Sequence, residues 1–113
     1  AHGLVAVLEH MQKHPTLGPI YRDSLAQPGR PGTLEHRFRD VELQGKVYGK
    51  SGYISGVYAL SGYVVNGDRT IAFACLVNNY VTPKGRFTPP KLLFEQIVIA
   101  ADKYLADQIA ERN

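Results

Sequence analysis

A chain of 113 residues is bounded to one domain or part of one, and a 44% hydrophobic fraction is ordinary for a chain that buries a core. The net charge of +3 comes without a lysine/arginine run, which argues against a nucleic-acid surface. A single cysteine, Cys75, excludes an internal disulfide, and no apolar run is long enough to cross a membrane as a helix.

In chain order, Leu4, Val5, Val7, Leu8 and Met11 recur at helical spacing, with Glu9, Gln12 and Lys13 opposite. Pro15 must end that helix, because it lacks an N–H and restricts His14. Residues 16–45 are rich in proline and glycine. Within them, Leu17 to Leu25 is expected to form a broken helical turn, and Gly32 to Phe38 to turn Leu34 and Phe38 inward. A connection this long inside a compact domain is often functional. It is expected to run along the rim of a cleft.

Lys46 to Gly52 reads as a strand, and Gly56 to Val65 as a second, rich in β-branched and aromatic residues. Asn66-Gly67 is the strongest hairpin signal, as the two central residues of an Asn-Gly turn. Thr70 to Val77 is nearly all apolar and is expected to be a central strand covered on both faces. Cys75 within it reads as a buried, inert thiol. Thr82 to Pro90 reads as a loop, and Pro89-Pro90 as the opening of a long helix. Its apolar stripe would be Leu93, Phe94, Ile97, Val98, Ala101, Leu105 and Ile109, with Glu95, Asp102, Lys103, Asp107 and Glu111 facing water. The expected class is α+β: an antiparallel sheet flanked by an N-terminal and a long C-terminal helix, with residues 1–113 as a single unit.

The chemistry-bearing stretch is Gly49-Lys50-Ser51-Gly52-Tyr53-Ile54-Ser55-Gly56-Val57, continuing through Leu60-Ser61-Gly62-Tyr63-Val64. Lys50-Ser51-Gly52 has the form Lys-[Thr/Ser]-Gly, one of three signatures of serine enzymes that handle penicillins and D-Ala-D-Ala peptides. The triplet alone is weak, but its flanks strengthen it. With Ser24-Leu25, Gly32-Thr33-Leu34 and Arg37-Phe38 upstream, the stretch resembles the D-alanyl-D-alanine carboxypeptidase/endopeptidase family of the penicillin-binding-protein 4 type (peptidase S13). The resemblance is strongest over residues 4–80 and fades in the last third.

Two departures matter. The family usually carries threonine where this chain has Ser51, a mild change because both offer a hydroxyl. The family's nucleophile lies in Ser-x-x-Lys and its second motif is Ser-x-Asn. No serine here has lysine three places on or asparagine two places on. The chain therefore reads as the C-terminal part of a serine β-lactamase/transpeptidase-like domain, expected to be inactive without its partner segment.

The resemblance implies roles residue by residue. Lys50 would place an ammonium in the cleft. Ser51 would hydrogen-bond the terminal carboxylate of a peptide or β-lactam. Gly52 would let the ligand backbone lie close, and the backbone N–H of Tyr53 would be one of two oxyanion donors. Ser55 would reach the same groove. Bland readings stand beside these: an exposed strand lysine, a bulge at Gly52, a turn hydroxyl at Ser55. Arg30 and Arg37 read either as attractors of an acidic peptide or as solvated and loop-bracing. His10 and His14 have the spacing of metal ligands, but nothing in the sequence completes a site. No metal or cofactor is expected.

The expected partners are a peptidoglycan stem peptide or a β-lactam, and the remainder of a parent polypeptide carrying Ser-x-x-Lys and Ser-x-Asn. The resemblance implies a periplasmic or extracytoplasmic location. The alternatives are a non-catalytic module that binds cell-wall peptide or protein and, with less support, a β-lactamase-related fragment.

Overall fold

A computed structural model describes residues 1–38, 43–54, 56–78 and 90–112. In order, the elements are α1 (His2–Lys13), α2 (Leu17–Asp23), β1 (Val47–Ile54), β2 (Val57–Asn66), β3 (Arg69–Val77) and α3 (Pro90–Arg112). The class is α+β, with one antiparallel sheet in the order β1-β2-β3. The central strand of the described sheet is thus β2. The expectation that Thr70–Val77 is central is corrected, because β3 lies at an edge. Its apolar character has another cause: α1 packs on one face of β3 and α3 on the other.

Register assigns the two faces. Val47, Gly49, Ser51 and Tyr53 of β1 stand opposite Val64, Gly62, Leu60 and Tyr58 of β2. The latter face Ile71, Phe73, Cys75 and Val77 of β3. This face carries the core with Phe94, Val98 and Leu105 of α3. Leu60, Val47, Val64 and Val98 are fully buried, and each such side chain contributes roughly 1.5–3 kcal/mol over exposure. The opposite face holds Tyr48, Lys50, Gly52 and Ile54 with Tyr63, Ser61, Ala59 and Val57. Here α1 and α2 cover only the Tyr48–Tyr63 end. The Tyr63 hydroxyl donates to the Leu8 carbonyl of α1 at 2.5 Å, the Tyr21 ring meets Tyr63 edge-on, and the Arg22 guanidinium lies over Tyr48.

Two glycines are required by close approach. A Cβ at Gly62 would lie 1.9 Å from the Tyr48 carbonyl oxygen, and one at Gly18 would lie 2.6 Å from that of Met11. Gly62 sets how near β2 lies to β1, and Gly18 how near α2 lies to α1. Pro15 ends α1 as expected, with His14 extended at φ −73° and ψ 121°. His14 Nδ1 then accepts from the N–H groups of Thr16 and Leu17 at 3.3 and 3.0 Å, capping the next helix.

Several details differ from expectation. The β2–β3 loop is Gly67-Asp68, since Asn66 pairs with Arg69. Gly67 has φ +61° at the first central position, so the turn sits one residue later than an Asn-Gly turn. Along α3, Phe94, Val98 and Leu105 are buried, but Leu93 and Ile97 are exposed. A helix lying on a three-stranded sheet touches it along a narrow row, and each residue turns about 100° from the last. Leu93 and Ile97 therefore fall on the shoulder of the stripe. On the other shoulder, Glu95 is buried rather than solvated. Asp102 does not simply face water either; it accepts from Asn66 Nδ2 at 3.2 Å and lies 3.9 Å from the Lys46 ammonium. Val7 of α1 is exposed, and α1 meets the core through Leu8.

Candidate functional site at the edge of strand β1

The site begins with backbone geometry. Gly49 exchanges both of its main-chain hydrogen bonds with Ala26, at 2.9 and 2.8 Å. The Lys46 carbonyl instead accepts from Val65 on β2. Antiparallel strands alternate their bonding direction residue by residue. The N–H and C=O groups of Ser51 and Tyr53, like those of Gly49, therefore point away from β2 and out of the sheet edge. Ala26 occupies this edge at Gly49, and among the described residues no backbone pairs with it beyond. An open edge is a template for an extended peptide to add as a strand.

Side chains frame the same edge. A cleft of about 230 Å³ is lined by Lys50, Ser51, Gly52 and Tyr53 from β1, Tyr58 and Ala59 from β2, Thr33 and Arg37 from the long connection, and Lys91 and Phe94 from α3. Lys50 rises from the α1 face, yet its ammonium curls to the edge and donates to the Ser51 carbonyl. It also borders a neighbouring cavity of about 460 Å³ that includes Arg30 and Ser24. Ser51 is half-buried on the α3 face of the strand. Tyr53 is exposed, with its ring centroid 4.8 Å from that of Tyr58. The residues expected to act together thus line one cleft, Ser55 excepted, which lies outside the described residues.

The reading of Gly52 as a bulge does not hold. The register runs unbroken through Gly52 opposite Ala59. A Cβ there would meet only the Ala59 methyl, at an ordinary 3.5 Å. Among the described residues only that methyl stands near a Cβ at 52, so glycine leaves room there for another backbone to lie against the strand.

The second wall is the connection of residues 32–38. Leu34 and Phe38 anchor it in the core, as expected. Phe38 holds φ +59°, the left-handed region that side-chain-bearing residues avoid, at a cost of about 1–3 kcal/mol. Its N–H donates to Glu95 Oε1 at 2.6 Å, a buried charge-assisted bond that offsets that cost. Glu95 Oε2 lies 3.5 Å from Arg37 Nε, and Arg37 Nη2 donates to the Lys91 carbonyl at 3.2 Å. One carboxylate of α3 therefore fixes both the connection and its arginine. Sequence reasoning missed Glu95, Thr33, Tyr58, Lys91 and Phe94. The α3 residues are distant in sequence, and Glu95 reads as solvated because it is charged and lies off the apolar stripe. Tyr58 was the most legible, being Tyr53's cross-strand partner across a short hairpin.

Burial pushes the Tyr63 phenol above its ordinary 10.0, with Tyr21 adding in the same direction. Burial alone raises the Cys75 thiol from 9.0, in keeping with an inert core thiol. Neither group lines the cleft. Among the described residues no cluster of His, Cys, Asp or Glu could hold a metal ion.

The described residues thus give a strand edge flanked by the cations of Lys50, Arg37 and Lys91. The chain belongs to the D-Ala-D-Ala carboxypeptidase 3 (S13) family, whose model matches residues 1–92. A curated relative, the D-alanyl-D-alanine carboxypeptidase of Actinomadura sp. (strain R39), is 34% identical over 80 residues. That alignment covers 71% of this chain and 14% of the relative, so the chain spans a small part of the relative's length. No solved structure matches the chain.

Proposed function

We propose that this chain forms the strand-edge wall of the substrate cleft in a serine-type D-Ala-D-Ala carboxypeptidase/endopeptidase that acts on peptidoglycan stem peptides outside the cytoplasm. The carrying observation is the convergence of Lys50, Ser51, Gly52 and Tyr53 on one cleft beside an open edge. In this reading the chain belongs to a transpeptidase-like domain whose nucleophilic serine stands on another segment of a longer polypeptide. The peptide lies antiparallel beside β1. Ser51 Oγ and the Lys50 ammonium hold its terminal carboxylate. The serine Oγ attacks the carbonyl of the penultimate D-Ala, and the Tyr53 N–H meets the developing oxyanion. The terminal D-Ala leaves as the ester forms, and water then hydrolyses that ester. A donor of this type is worth about 10²–10³ in rate. A β-lactam carbonyl would acylate the same serine.

The sheet face beyond α1 and α2 supports a partner segment. Ile54, Val57 and Leu76 share it and are exposed, and an uncovered apolar face marks an interaction surface.

The test is labelling by a fluorescent penicillin, read by intact mass and a denaturing gel. A longer polypeptide that contains this chain should be labelled, more slowly after Lys50→Ala. The 113-residue chain by itself should stay unlabelled and fail to hydrolyse a D-Ala-D-Ala peptide. Hydrolysis by this chain alone, lost in Lys50→Ala, would sink the two-segment reading. Binding of cell-wall peptide without labelling of the longer polypeptide would favour a non-catalytic module.

A further inference from the structure

We infer that Arg37 is a second carboxylate-binding residue of the cleft and that Glu95 is the positioning residue that orients it. The inference rests on the proposed function and deepens it. Lys50 reaches the strand edge from the α1 face, whereas Ser51 stands on the α3 face. Arg37 lines the same cleft and is tied to α3 through Glu95 and Lys91. A ligand carboxylate at the edge therefore meets one cation from each side of the strand. Among the described residues, the charged side chains lining the cleft are Lys50, Arg37 and Lys91, with no carboxylate beside them.

Among the described residues the guanidinium is held but not saturated. Nε faces Glu95 at 3.5 Å without an aligned hydrogen bond, and Nη2 is committed to the Lys91 carbonyl. Nη1 has no partner among the described residues, and guanidinium carries donors in a rigid fork suited to a carboxylate. Glu95 does not compete for the ligand's place, because its other oxygen is spent on the Phe38 N–H. It lies beyond the residues that the family model matches. The assignment therefore comes from the packing of α3 on the connection.

The experiment uses the longer polypeptide that contains this chain, with an N-acylated D-Ala-D-Ala peptide and its C-terminal amide. Binding is measured by calorimetry, and turnover as separate kcat and KM. Wild type should bind the acid more tightly than the amide. Arg37→Gln should weaken binding of the acid and raise its KM by about 10–100-fold, as expected for a lost hydrogen bond between charged groups. The amide should change by less than about twofold, well below that range. Glu95→Gln keeps an acceptor for the Phe38 N–H, and should lower the acid-over-amide preference less than Arg37→Gln does. Arg37→Lys retains the charge and should restore part of the preference, which guards against a misfolded Arg37→Gln. An unchanged acid-over-amide ratio in both Arg37 variants would overturn the assignment while leaving the proposed function standing. A wild-type protein that neither binds nor hydrolyses the acid peptide would overturn both.

Discussion

The two ends of the sheet are built differently. At the Val47–Val64 end, both faces are covered. There α3 packs Val98 and Leu105 on one side, and α1 and α2 close over Tyr48 and Tyr63 on the other. At the Tyr53–Tyr58 end the strands project past α1 and α2, with Tyr53 64% and Ile54 77% exposed. The same three strands thus serve as a packed core at one end and as an open template at the other. Burial stabilises the fold where the backbone is fully paired. The edge left unpaired among the described residues is where the proposed ligand would add.

The sharpest way to break this comparison is a pair of glycine substitutions. Gly62→Ala places a methyl against the Tyr48 carbonyl, and it should cost more than about 3 kcal/mol in urea unfolding, since backbone has to move. Gly52→Ala meets only a methyl in ordinary contact, and it should stay within about 0.5 kcal/mol. If the cleft is used as proposed, Gly52→Ala should still slow penicillin labelling of the longer polypeptide. Equal stability losses in the two variants would erase the distinction between the ends.

Truncations make the same contrast in the side chains. Leu60→Ala opens a cavity under α3 and should lose about 2–5 kcal/mol. Ile54→Ala, on the projecting end, should change stability by about 0.5 kcal/mol or less. A large loss from Ile54→Ala would mean that its face is already covered in solution, and sedimentation would reveal the partner.

A smaller loss than at Gly62 or Leu60 is expected at Tyr63. Tyr63→Phe removes the bond to the Leu8 carbonyl and should cost about 0.5–1.5 kcal/mol at neutral pH. The folded state holds the Tyr63 and Cys75 protons more tightly than the unfolded chain does. Their contribution is therefore fully present below the ordinary values of 10.0 and 9.0, and is lost as pH rises through the raised ones. Thermal melts of the wild-type chain should fall steeply in that alkaline window. Tyr63→Phe should flatten the upper part, and an unchanged alkaline slope would show that Tyr63 is not its source.

Much of this was legible in the sequence, because local signals there are strong. Pro15 and Pro90 bound helices, Gly67 marks a hairpin, and alternation and β-branching mark the strands. The Lys50-Ser51-Gly52 stretch and its flanks carry the family resemblance, and Leu34 and Phe38 could be read as inward-facing. All of these depend on residues near one another in the chain, where backbone sterics and side-chain period act directly. Tertiary structure alone decided that β2 rather than β3 is central in the described sheet, since an apolar strand looks the same wherever helices cover both its faces. It also decided that Glu95 is buried. A carboxylate on a helix reads as solvated unless a distant amide and guanidinium meet it, and Phe38 and Arg37 lie more than fifty residues away in sequence. The second wall of the cleft was hidden for the same reason: it is made by contacts between segments, and their energies depend on distances that no local pattern encodes.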